Sequence, residues 1–262
     1  MGIVESVKKG FLLSQKLLKV VLIFFILNVI MGLMSLPLTT PENAANPAIA
    51  TIAFLLTVIF FAIFIFLQGG ALGLTRDIHK TGACDISNFS AYGKKYYLRI
   101  LGLLSLYVLI ALGIALILFL VGNGVLLIVN NAFMRALVMV IAASVALVAV
   151  VILLFPIYSI VAEENTILQA IKKGVSISRN NFWEVLKIFL FLVAISVVVS
   201  LVIGFIIGLI TIPLPLILTR VIITIVNSAV QSYIPIVMML VFMGYYLGLA
   251  KEGESPQGRP AV

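Results

Sequence analysis

One histidine and one cysteine in 262 residues leave little with which to build a metal centre or a disulfide. Cys84 has no second thiol to pair with inside the chain. His79 stands between Ile78 and Lys80, without another histidine, cysteine or carboxylate pair at ligand spacing, and reads as a surface histidine. No Gly-rich phosphate loop, GxSxG or HExxH motif occurs either. No catalytic residue, metal or cofactor is therefore expected, and the chain does not read as an enzyme.

Charge is the next scarcity. Asp, Glu, Lys and Arg make up 10% of the chain while 63% is hydrophobic. A soluble domain carries about 25% charged residues to face water. What fills the sequence instead is six long apolar runs: Val20–Leu36, Ala48–Leu74, Leu101–Val121, Ala136–Val161, Val185–Ile212 and Val221–Ala250. A helix rises about 1.5 Å per residue, so roughly 20 apolar residues cross the ~30 Å hydrocarbon core. Lipid offers the backbone no hydrogen bonds, and these runs lack the alternation of a barrel strand. The expected fold is an all-α integral membrane protein with six transmembrane helices.

The polar segments between the runs alternate in charge. Of the 17 lysines and arginines, only Arg135 and Arg220 fall in the even-numbered segments, where Glu42 is the one acid. Short cytoplasmic loops retain Lys and Arg, so both termini are expected inside. The net charge of +8 then reads as a basic surface facing anionic headgroups, with no nucleic acid needed. Ion-coupled transporters bury an acid or base at mid-depth, and voltage sensors carry a row of bases. Here every ionisable Asp, Glu, Lys and Arg maps to a run's end or a loop.

The sequence also repeats itself. Lys8 begins KKGFLLSQK, Lys172 begins KKGVSISRN, and Asn88 begins the looser NFSAYGKK, so that Ser14, Tyr92 and Ser178 correspond. Gly69 starts GGALGLTRD, Gly244 starts GYYLGLAKE, and the fourth run ends as PIYSIVAEE from Pro156. The charged pairs Arg76/Asp77, Glu163/Glu164 and Lys251/Glu252 recur about 87 residues apart. One six-helix domain over residues 1–251 is expected, followed by a short tail, 252–262. It divides into three hairpin repeats near 5–77, 85–164 and 165–252, each led by an amphipathic helix on the cytoplasmic surface. The repeat also argues that the first run is retained in the fold and is not a cleaved signal.

Each repeat has candidate working parts. Thr166–Ser178 places Ile167, Ala170, Ile171, Gly174, Val175 and Ser178 at helical spacing, with Lys172, Lys173 and Arg179 elsewhere around the helix. Lys8, Lys9, Lys94, Lys95, Lys172, Lys173 and Arg179 are the candidate headgroup contacts. Tyr96, Tyr97, Phe182 and Trp183 fit an interfacial aromatic belt. Glu163 and Glu164 suit a following helix N-terminus. The pairs Gly69/Gly73 and Gly244/Gly248 permit close helix approach.

Inside the sixth run, Thr224, Asn227, Ser228 and Gln231 form one polar face, followed by Ser232 and Tyr233. Pro235 frees a carbonyl near Gln231 and predicts a kink. Amides in lipid need partners, so this face must meet another helix, with Asn28 and Gln68 as possible partners, or line a ligand or water path.

The stretch from Glu163 through Phe191, EENTILQAIKKGVSISRNNFWEVLKIFLF, resembles the six-span family called the glycerophosphoryl diester phosphodiesterase membrane domain. Related bacterial and archaeal membrane proteins share its amphipathic helix and its Asn–aromatic–Trp lead into a span. In family members that hydrolyse phosphodiesters, a separate soluble barrel carries the metal-binding acids and histidine. No residue here matches that machinery. The resemblance thus implies a membrane module of a prokaryotic cell membrane and argues against the phosphodiesterase activity. The expected function is a non-enzymatic module that engages membrane lipids, anionic ones above all, or a membrane protein partner. The alternative is a passive channel or carrier for a small neutral or amphipathic solute, lined by the polar face of the sixth run.

Overall fold

The computed structural model describes residues 2–38, 43, 46–129 and 131–254. Glu42, Arg259 and most of the expected tail 252–262 lie outside the described residues. The described chain is helical throughout, without strands. Its helices are α1 (Ile3–Ser14), α2 (Leu18–Leu38), α3 (Pro47–Thr81), α4 (Phe89–Ile128), α5 (Ala132–Ile152), α6 (Pro156–Ala162), α7 (Ile167–Asn180), α8 (Phe182–Thr211) and α9 (Leu216–Glu254). Six helical segments are long and apolar enough to cross a bilayer, as a multi-pass membrane protein requires. At 35 residues, α3 extends about 52 Å, so it must tilt or emerge beyond the hydrocarbon.

Helix ends follow local chemistry. Asn46 caps α3 by accepting the Ala48 N–H at 3.0 Å, with Pro47 in the first turn where its missing N–H costs nothing. At the other end Gly82 adopts φ +73°, the left-handed C-terminal stop that a side chain would strain. Its orphan carbonyl accepts from Lys16 Nζ at 2.7 Å. Asn131 caps α5 by accepting the Met134 N–H at 2.8 Å.

The chain divides into two compact units, Met1–Tyr97 with Ile188–Val262, and Leu98–Lys187. In the first, α1 and α2 both pack along α9. Gly10 of α1 sits so close to Val241 that a Cβ would overlap its methyl group. Ser14 and Tyr233 hydroxyls meet at 2.9 Å, and Asn28 Nδ2 donates to Ser232 Oγ at 2.8 Å. The Phe24 and Phe64 rings stack edge to face at 5.8 Å, joining α2 to α3.

Large apolar side chains elsewhere point outward. Phe54, Leu109 and Phe119 are each about two-thirds exposed, a surface suited to hydrocarbon and not to water. Two features depart from the sequence reading. The fourth apolar run does not form one helix: α5 stops at Ile152 and α6 restarts at Pro156, because Pro has no N–H to continue the ladder. In the segment before the third run, a 3-10 turn at Ile86–Asn88 leads directly into α4, so no separate short helix forms there.

Candidate functional site

In the second unit, α7 lies against the break in the fourth run. Its small face, Ala170, Gly174 and Ser178, is buried. Gly174 meets the backbone of Pro156, where a Cβ would lie 2.6 Å from Pro156 Cα and 2.7 Å from its Cδ. Only glycine allows this approach. At the start of α7, the Ile167 side chain covers Gly102 of α4. Thr166 and Gln169 close the first turn, with Gln169 Oε1 accepting from Thr166 N at 3.1 Å and Thr166 Oγ1 at 2.9 Å.

The two glutamates therefore do not cap α7, as their position had suggested; they hold the turn before it. Glu163 pairs with Lys173 at 2.9 Å and accepts from Asn165, whose amide also reaches Ser159 at 2.9 Å. Glu164 takes the left-handed backbone conformation at φ +60°, and its carbonyl accepts from Arg99 at 2.8 Å. With Lys173 engaged, Lys172 and Arg179 remain exposed on α7. Trp183 is 70% exposed just beyond it, edge to face with Phe182.

Beside the break is a half-open cavity of about 510 Å³. Tyr107, Ala111 and Ala115 of α4 form one wall, Ala146 and Ala149 of α5 another, and Tyr158 of α6 the end. The alanines make the room, since a leucine at any of them would project into it. Ending α5 leaves the Leu153 carbonyl outside the helical ladder, and Tyr107 donates its hydroxyl to it at 2.7 Å.

In the first unit, Gly69 and Gly73 do bring helices together. Gly69 would place a Cβ 3.3 Å from the Gly93 carbonyl, and Gly73 lies under the Tyr92 ring. That approach assembles a polar cluster that the spacing of its members concealed. Arg76 donates to Tyr96 Oη at 2.7 Å and to Asp77 at 2.9 Å, while Tyr92 donates to Asp77 at 2.6 Å. Tyr96 is fully buried, so it belongs to this cluster and not to an aromatic belt. Lys95 sits over the Tyr96 ring at 5.5 Å and, like Lys8, Lys9 and Lys94, is exposed. Gly244 packs on His79, where a Cβ would lie 2.7 Å from Nε2, and His79 Nδ1 lies 2.9 Å from the Thr75 carbonyl. His79 is thus partly covered, contrary to the surface reading. Gly248 has open space around it.

Cys84 and Asp85 lie in the connection after α3. Burial, then the nearby Asp77 and Asp85 carboxylates, push the Cys84 thiol up. The Ser87 backbone N–H and side chain hold Asp85 below the usual carboxylate range.

The polar face of α9 divides in two. Ser228 and Ser232 are buried: Ser232 receives Asn28, and Thr224 packs on Gly32 of α2. Asn227 and Gln231 are exposed and make no hydrogen bond with their side chains among the described residues. Gln68 is half-buried and does not join Asn28. The α9 helix continues through Pro235 without a break.

No curated protein and no solved structure shows significant similarity to this chain. A family model does match, over residues 3–249 and so across all six apolar segments. The chain belongs to that family, described as a domain of unknown function, DUF7847.

Proposed function

We propose that this protein is a non-enzymatic module of a prokaryotic cell membrane that holds anionic lipids through basic side chains on its cytoplasmic face. One observation carries the reading: Lys172 and Arg179 stay exposed on α7 while the opposite face of that helix is buried on the Pro156 break. Lys8, Lys9 and Lys94 are likewise exposed and make no ion pair among the described residues. Bases that serve the fold are engaged, as Lys173 is by Glu163 and Lys16 by Gly82. Bases left in solvent beside apolar surface are what phosphate headgroups recognise.

The threefold repeat, with both termini inside, belongs to the same proposal. Gly10 with Ser14 in α1, and Gly174 with Ser178 in α7, are buried at the same register of their KKG segments, which supports it. The resemblance of residues 163–191 to the membrane domain of glycerophosphoryl diester phosphodiesterases is part of the same proposal. The carrier reading is weaker, because Asn28 and Ser232 are bonded to each other between α2 and α9, Ser228 turns back onto the Thr224 carbonyl, and the exposed amides left to line a path are Asn227 and Gln231.

The test replaces Lys172 and Arg179 by alanine and measures anionic lipid retained on the detergent-purified protein by native mass spectrometry. Each base near an anionic surface contributes about 1 kcal/mol, so losing two should lower retention about thirtyfold. Retention equal to wild type would refute the headgroup assignment.

A further inference from the structure

We propose that the cavity beside the Pro156 break is a lipid site, holding one acyl chain of a membrane phospholipid. The anionic class of its headgroup rests on the function proposed above; the acyl site itself does not.

Three observations point to this occupant. First, the cavity's 510 Å³ falls in the range of built ligand pockets, ~300–1,000 Å³, and far exceeds a packing defect. Second, its length along α4 fits an acyl chain. From Tyr107 to Leu118, the wall along α4 runs about 16 Å, close to the ~15 Å thickness of one leaflet's hydrocarbon. Third, water is a poor occupant. Apart from Tyr107 and Tyr158 the walls are aliphatic, and the Tyr107 hydroxyl is already spent on the Leu153 carbonyl.

The end of the cavity at Tyr107 and Tyr158 is also the end that α7 covers. Ile167 rests on Gly102, and Gly174 rests on Pro156, next to the cavity-lining Ile157 and Tyr158. An acyl chain slipping in through the cavity's open side, with its glycerol at this end, would leave its headgroup beside α7, with Lys172 exposed there. Lipid tails are as apolar as leucine, so no hydrophobic gain separates a chain in the cavity from one in bulk bilayer. Retention must come from close packing against the walls and from the headgroup contacts. The site therefore selects by chain shape on one side and by charge on the other.

The test fills the cavity with the double substitution Ala115→Phe and Ala146→Phe in the full chain. Ala143→Phe, exposed on α5 but not lining the cavity, is the control. Proteins purified in mild detergent are extracted, and bound lipids are identified by mass spectrometry. Wild type and the control should carry phospholipid, and the filled variant about tenfold less, equivalent to about 1.4 kcal/mol of binding. Lys172→Ala with Arg179→Ala should shift the headgroups away from anionic lipids while a phospholipid stays bound. A folded filled variant with wild-type phospholipid content would overturn the acyl site. Loss of lipid from the charge variant alone would do the same and leave the headgroup reading standing. Free fatty acid as the sole bound lipid would also overturn it. A second measurement needs no variant: a phospholipid with a photoreactive group on one acyl chain should label wild type within 107–118 and 146–158. Labelling spread evenly over the apolar helices would count against the site.

Discussion

Gly174→Ala separates two opposing effects that the structure makes unequal. Alanine favours a helix interior over glycine by about 1 kcal/mol, so a glycine with free space should gain from the change. At Gly174 the added Cβ would instead lie 2.6 Å from Pro156 Cα and 2.7 Å from Cδ. Those atoms belong to backbone and a closed ring, and no rotamer change moves them aside. The helix must therefore shift outward by roughly 1 Å, which overpacking data put at about 1–3 kcal/mol. The shift also pulls on the Glu163–Lys173 pair and on the Ile167 contact with Gly102. The net expectation is a loss of up to about 2 kcal/mol, the clash offsetting the propensity gain or outweighing it.

The assay is unfolding in mixed micelles with increasing SDS, followed through the single tryptophan, Trp183, which adjoins α7. Gly204→Ala in α8 is the internal standard, because nothing lies within 4 Å of a Cβ there. It should be as stable as wild type or gain up to about 1 kcal/mol. Gly10→Ala should fall between the two, since its close obstacle is a methyl of Val241, whose stiff χ1 yields at less cost than backbone. Should Gly174→Ala unfold at the same SDS fraction as Gly204→Ala, the contact between α7 and Pro156 is not the one described.

Three further outcomes follow from the same contacts. On the proposed orientation, with both termini inside, Cys84 should react with a membrane-impermeant maleimide only from the cytoplasmic side, and labelling of intact cells would refute that orientation. Because burial raises its thiol, the rate should climb about tenfold per pH unit from pH 7 upward, and a flat pH profile would contradict that environment. Asn28→Leu should destabilise by about 0.6–1.7 kcal/mol through the lost Ser232 bond, while Asn227→Leu and Gln231→Leu should cost nothing in the same unfolding assay. The reverse order would place the working amides on the exposed side. Tyr107→Phe should cost about 1 kcal/mol and speed amide exchange around 153–157, as the Leu153 carbonyl loses its donor; unchanged exchange would show that the break does not depend on Tyr107.

The six spans were legible because lipid leaves the backbone so few options. A run of 20 apolar residues has one stable answer, but the helix ends at Asn46, Gly82 and Asn131 were not read from it, since capping residues are not apolar and hydropathy passes over them. Side-chain pairing was less so. Tyr96 read as a belt residue because its chain neighbours are polar and aromatic. What buries it is the approach of α4 to Gly69 and Gly73, a tertiary event that spacing within one segment does not encode. The polar face of α9 was found, but its division was not. Ser228 and Ser232 are short enough to sit inside a helix contact, whereas the longer Asn227 and Gln231, only a residue away, stay outside it.

The cavity shows where a hydropathy reading stops by construction. Transfer scales score Ala111, Ala115, Ala146 and Ala149 as apolar, like the leucines around them, and so register a span and nothing more. The difference that matters is volume. Four alanines on facing walls leave unfilled space only if the walls stay apart, and Pro156 keeps them so by ending α5 and letting α7 close on the break. Pro156 was therefore the available signal: a proline inside an apolar run marks a break, and small residues lining a break mark room. An empty volume of this size would forfeit contacts on every wall, and the surrounding solvent is itself made of acyl chains. Filling it with one of them satisfies the packing that the sequence left incomplete.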